Sequence, residues 1–243
     1  MPPSNLSSRV ATTKQIKRYA TFAIIGFGYF LIAVVALNFL NPEYTLVRSF
    51  TANGNYDIGP HEFLIASTYF SLGLGSLTLM IGLYQGMSRS ARSWIGLLLL
   101  GIWGVGILIA GIFPTSNPGS TVPHMTTVLI AGIFPVDVLG YPETIFGYIH
   151  ILTNLWSFFC LTFAAIMLSR CFKQDELWLP IHRQALILSL VMLASLIWIF
   201  LLFIRVVSTG FESSTGILVA TSLMWLFLTA ARLRFVVAAS VSK

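Results

Sequence analysis

Charge is what this chain is shortest of: 14 Lys and Arg and 8 Asp and Glu in 243 residues, 9% in all. A soluble domain carries roughly 25%. A chain that is 56% hydrophobic cannot hide its apolar surface behind so few charges, so lipid is its natural solvent. Cysteine is scarce too. Cys160 and Cys171 fall inside and at the end of one predicted helix, where eleven residues hold them roughly 16 Å apart, too far for a disulfide. HExxH, HxH and CxxC spacings are missing, as are a nucleophile elbow, a P-loop and a dinucleotide fingerprint, and with them the usual signatures of zinc enzymes, serine hydrolases and nucleotide binders. Gly73-Leu74-Gly75 lies inside an apolar run and cannot cradle a phosphate there. The net charge of +6 is spread in short clusters beside apolar runs, with no basic stripe interleaved with aromatics. Nucleic acid is therefore not an expected partner. No cofactor is expected either.

What the chain does have is six long apolar runs: Ala20–Leu40, Phe63–Tyr84, Trp94–Phe113, Ile145–Leu168, Ala185–Ile204 and Ser213–Ala231. Each is long enough to cross a bilayer as a helix. The first, at 21 residues, exceeds the roughly 7–15 apolar residues of a cleaved signal. The expected fold is an all-α polytopic membrane protein, a bundle of six transmembrane helices. Residues 1–18 and 233–243 read as tails, and 19–232 as the transmembrane domain with outer loops 41–62 and 114–144. The N-terminal tail, 85–93, 169–184 and the C-terminal tail with Arg232 just before it hold all the Lys and Arg except Arg48 and Arg205. That asymmetry puts both termini in the cytoplasm. The fifth run is almost purely aliphatic and reads as lipid-exposed.

The unusual polar chemistry gathers between Leu108 and Asn154. One heptapeptide occurs twice there, Leu108–Pro114 and Leu129–Pro135, followed by Asp137, Glu143 and His150. Residues 115–144 contain no Lys or Arg. Their apolar centre, Thr126–Phe134, would span roughly 15 Å as a helix, about half the hydrocarbon core, so it reads as an interfacial or re-entrant piece. The same outer side carries His61, His124, Asp57, Glu62, Arg205 and Glu212. Histidine and carboxylate clusters can hold zinc or supply a base, which makes His61 and His124 the weak metal candidates, though solvated loop residues explain them more simply.

Polar residues inside a span need a partner. His150, Thr153, Asn154, Ser157 and Cys160 follow the spacing of one helical face. Asp137 and His150 are the candidate catalytic pair, with Ser67 as a weak nucleophile, and Asn154, Ser157, Ser71 and Arg205 are candidate ligand-binding residues. The plain reading of His150 and Asn154 is a buried structural hydrogen bond. Arg205 reads equally well as snorkelling toward lipid phosphates. Ser67, Thr68, Ser71, Gly75 and Thr78 share one face of the second run, where small residues let a neighbouring helix come close.

The Gly132-Ile133-Phe134-Pro135-Val136-Asp137 element after the third run, the His150 that opens the fourth and the six-helix layout resemble the bacterial and archaeal membrane family called domain of unknown function 998. The resemblance covers roughly residues 20–230, and Ser67 or Ser71 and Arg205 are similar to polar positions of that family. The first heptapeptide copy departs from the pattern, since Thr115-Ser116 follows it and the Asp is lacking. The resemblance implies a cytoplasmic-membrane location and a fold, but no settled activity. The expected function is a non-catalytic membrane component that binds lipid or another membrane protein through an outward-facing polar pocket. A lipid hydrolase using Asp137 and His150, and a small-solute transporter, are the alternatives.

The charge asymmetry makes a direct prediction about topology. Reporter fusions at Lys243 and near Asn117 should report opposite sides of the membrane, and matching signals would exclude six spans.

Overall fold

The computed structural model describes residues 4–40, 62–88, 93–112, 145–203 and 211–241. Among them there are six helices and no strand: α1 Ser4–Leu40, α2 Glu62–Gly86, α3 Trp94–Ile112, α4 Ile145–Phe172, α5 Leu179–Phe203 and α6 Phe211–Val241. Five of the six are long and apolar enough to cross a membrane. The remaining one, α4, contains an apolar stretch over Trp156–Phe172 within its 28 residues. In lipid only a helix satisfies its own backbone within one segment, which is why each apolar run adopts it.

The helix ends follow from local chemistry. Ser93 caps α3: its Oγ accepts from the Gly96 N–H at 3.1 Å, and its carbonyl accepts the Leu97 N–H at 3.0 Å. An N-cap of this kind satisfies a donor that the first turn leaves free. Pro180 stands in the first turn of α5, where its missing N–H costs nothing. Both terminal segments expected to lie outside the membrane continue as helix. α1 begins at Ser4, because no Gly or Pro interrupts the chain between Pro3 and Gly26. α6 runs past Arg232 and Arg234 to Val241. The basic connection expected over 169–184 shrinks to a turn at 173–178.

Each helix packs against the next in sequence, and α6 closes the ring on α1; α6 also reaches α2 and α4 across the interior. α5 is the most lipid-exposed of the five long spans, with 28% of its apolar window buried against 39% or more for the others. Inside the ring lie Trp103 and Trp225, both essentially inaccessible. Their indole N–H groups, which would be costly to strand in an apolar interior, find hydroxyls. Trp103 Nε1 donates to Ser76 Oγ at 3.1 Å, and Trp225 Nε1 donates to Ser169 Oγ at 3.0 Å. Phe27 of α1 meets Phe227 of α6 edge to face, centroids 5.6 Å apart.

Close backbone approach holds α1, α2 and α3 together. A Cβ at Gly26 would lie 2.7 Å from the Ser71 carbonyl oxygen, and one at Gly73 would lie 2.8 Å from the Gly104 carbonyl oxygen. Further along α2, Leu233 of α6 occupies the space over Gly82 and Gly86. Glycine 28 is different, because nothing lies within 4 Å of its Cβ position.

That pair supplies a test. Gly26→Ala should destabilise the bundle by about 1–3 kcal/mol through overpacking against backbone. Gly28→Ala should stay within about 0.5 kcal/mol. Thermal unfolding in detergent measures both, and equal shifts would show that α1 does not sit on α2 this closely.

Candidate functional site

Three places in the bundle bring polar or open chemistry together. The first is the α1–α2 contact. Ser67 Oγ is 2.7 Å from Tyr29 Oη and donates to the Leu64 carbonyl at 2.7 Å. Ser71 Oγ donates to the Thr68 carbonyl at 2.8 Å, and its backbone faces Gly26. Thr78 likewise bonds the Gly75 carbonyl at 2.9 Å. These hydroxyls are satisfied within their own helix or by Tyr29, so this face serves helix packing, as small residues do in membranes. It does not meet Ser157, which lies against α3 instead.

The second place is an open groove of about 750 Å³ between α2, α3 and α4. Leu77 and Met80 form one wall, Ile102, Val105 and Ile109 another, and Trp156 and Ser157 the third. Gly101 and Gly106 lie along its floor. A side chain at Gly101 would run into Met80, and one at Gly106 would collide with Ser157 Oγ. The two glycines thus let Met80 and Ser157, both part of the lining, come close to α3. From Leu98 to Ile109 it follows α3 for roughly 16 Å, about half the hydrocarbon core. Ser157 is 3% exposed; its hydroxyl and the Trp156 indole are the side-chain polar groups on an otherwise apolar lining.

The third place is the end of the bundle where the basic segments meet. Ile16 of α1 lies beside Gly86 of α2. The Ser88 N–H donates to Asp175 Oδ2 at 3.2 Å, and the Leu177 N–H donates to Asp175 Oδ1 at 3.0 Å. Arg232 of α6 donates Nε–H to the Leu177 carbonyl at 2.7 Å, with a second bond to the same oxygen. Trp178, inaccessible to solvent, stacks on Phe172 at 4.7 Å. His182 Nδ1 pairs with the Ser169 carbonyl at 2.7 Å. Asp175 thus ties α2 to the α4–α5 turn, and Arg232 ties that turn to α6. Sequence reading passed over this carboxylate, although Asp175-Glu176 is an acidic pair within an otherwise basic connection.

Other residues singled out from the sequence are less visible. His61, His124, Asp137 and Arg205, with the Thr126–Phe134 segment, lie outside the described residues. His150 and Asn154 fall within the first turns of α4, but their side chains are outside the described ones. Among the described residues, no group of three or more His, Cys, Asp or Glu is placed to hold a metal ion. Cys160 and Cys171 are both free thiols.

The clamp at Asp175 is open to mutation. Asp175→Ala strands two backbone N–H groups, at a cost of about 1–3 kcal/mol, while Asp175→Asn keeps one acceptor and should lose less. Thermal unfolding and protease cleavage between α4 and α5 would read the difference. No change in either would show that the turn holds without the carboxylate.

Neither a curated protein nor a solved structure matches this chain. A family model does, that of the family described as Protein of unknown function (DUF998), over residues 24–234. That match reaches into all six helices, from Ile24 of α1 to Arg234 of α6, and the chain, an integral membrane protein, belongs to this family.

Proposed function

We propose that the protein is a non-catalytic component of a bacterial or archaeal cytoplasmic membrane, with both termini inside, that holds a lipid in the groove between α2, α3 and α4. The observation that carries this reading is the glycine-floored opening itself, about 750 Å³ in volume and lined almost wholly by apolar side chains. Bulk lipid gains no hydrophobic energy by entering an apolar groove in a membrane. Selection therefore rests on shape and on polar groups along its border. Ser157 and Trp156 are such groups. His150 and Asn154 precede Ser157 on α4 at the i, i+4, i+7 spacing of one face. In this reading they belong to the outward-facing pocket that meets the lipid headgroup, together with Asp137 and Arg205. Ser71 does not line this groove; it sits on the face of α2 that meets α1, its hydroxyl donating to the Thr68 carbonyl. The depth of the groove, roughly half the hydrocarbon core, suits one acyl chain of one leaflet.

Filling the groove tests the proposal without touching a helix contact. Val105 and Ile187 are both exposed, at 47% and 61%, but only Val105 borders the groove. Val105→Trp should reduce co-purifying lipid, counted by native mass spectrometry, by several-fold, whereas Ile187→Trp on α5 should leave it unchanged. Equal lipid retention by the two variants would show that the groove holds none.

A further inference from the structure

The cations of α1 are used by nothing described above. Lys14, Lys17 and Arg18 stand at i, i+3 and i+4, all exposed, two residues short of the apolar run that begins at Ala20. Packing fixes which way they face. Ile16 lies beside Gly86, Tyr19 lies beside Gly82, and Ala20 and Ala23 are fully buried. That side of α1 is committed to the bundle, and the three cations are left on the side turned away.

Between them and the first turns of the apolar run is a second groove, of about 420 Å³, lined by Lys14, Lys17, Arg18, Thr21, Phe22 and Ile25. Along the helix the lining passes from cations to a hydroxyl, then to an aromatic ring and an aliphatic chain. A phospholipid presents its groups in the same sequence, from phosphate through ester region to acyl chain. Like charges one turn apart repel on a helix, and a bound anion removes that cost. Among the described residues none of the three is held by a carboxylate. Asp175 is engaged by two backbone N–H groups, and Arg232 is engaged by the Leu177 carbonyl.

We propose that this face of α1 binds an anionic phospholipid, its phosphate between Lys14, Lys17 and Arg18 and its acyl chain along Phe22 and Ile25. The site lies on a different helix from the α2–α3–α4 groove and does not depend on it. Basic residues near a membrane surface attract anionic lipid through charge, each by about a fivefold gain in binding. The built groove adds a place for the chain, which a free anion does not need.

The test uses the full chain in detergent micelles doped with equal amounts of phosphatidylglycerol and phosphatidylcholine, with bound lipid counted by native mass spectrometry. Wild type should retain phosphatidylglycerol in preference. Replacing all three cations, as K14Q/K17Q/R18Q, should lower that retention by roughly a hundredfold and leave phosphatidylcholine unchanged. If that variant fails to insert, ionic strength decides. Raising salt from about 0.1 to about 1 M shortens the screening length from about 10 to about 3 Å, and retention by wild type should fall several-fold. Equal retention of the two lipids, or retention indifferent to both the cations and salt, would overturn the proposal. So would full displacement of phosphatidylglycerol by millimolar inorganic phosphate, which would mark a site for a free anion.

Discussion

Helices bathed in lipid gain nothing by turning one apolar face toward another, so this bundle depends on how closely its backbones can approach. Dispersion falls off steeply with distance, and the approach is made possible by residues without bulk. Gly26 lies on the Ser71 carbonyl, Gly73 lies on the Gly104 carbonyl, and Leu233 fills the space over Gly82 and Gly86. α2 takes part in all three contacts. It is the helix from which the order of its neighbours follows.

The same small residues have two consequences. Where a partner side chain or backbone fills the space, as at Gly26 or Gly82, the helices lock. Along α3, Gly101 lies against Met80 and Gly106 lies against Ser157, and these same residues line the groove between α2, α3 and α4. Polar groups are then sorted by the cost of leaving them alone. Ser76 and Ser169 are spent on buried indoles, while Ser67 and Ser71 are spent on helix carbonyls and Tyr29. Ser157, nearly buried, is the one serine or threonine hydroxyl of the groove lining.

At the basic end, bonds between segments far apart in sequence, Ser88 to Asp175 and Arg232 to Leu177, tie the end of α2 and α6 to the α4–α5 turn. α1 is set against α2 by Ile16 beside Gly86 and Tyr19 beside Gly82, and Lys14, Lys17 and Arg18 are left exposed. Asp137, His61 and His124 lie outside the described residues.

Sequence alone determined the number of helices and their centres, because a run of about twenty apolar residues has no other stable form in a bilayer. It also determined the family, through a short Gly-Ile-Phe-Pro-x-Asp element, His150 and the spacing of the spans. The match over 24–234 bears out that reading, and the small-residue face of α2 was legible as a packing surface for the reason now seen at Gly26. Helix ends were less legible: α1 and α6 run on through polar, basic sequence, since Lys, Arg and Gln are good helix formers in water too. What only the tertiary structure decided is which face of each helix looks inward. In water, hydropathy would mark it, but here the interior and the lipid are equally apolar. Phe27 and Phe30 are buried while Phe22 and Phe70 are exposed, and nothing in their chemistry tells them apart. Asp175, the groove and the closure of α6 on α1 depend on that choice, which is made by the fit of side chains against neighbouring backbones.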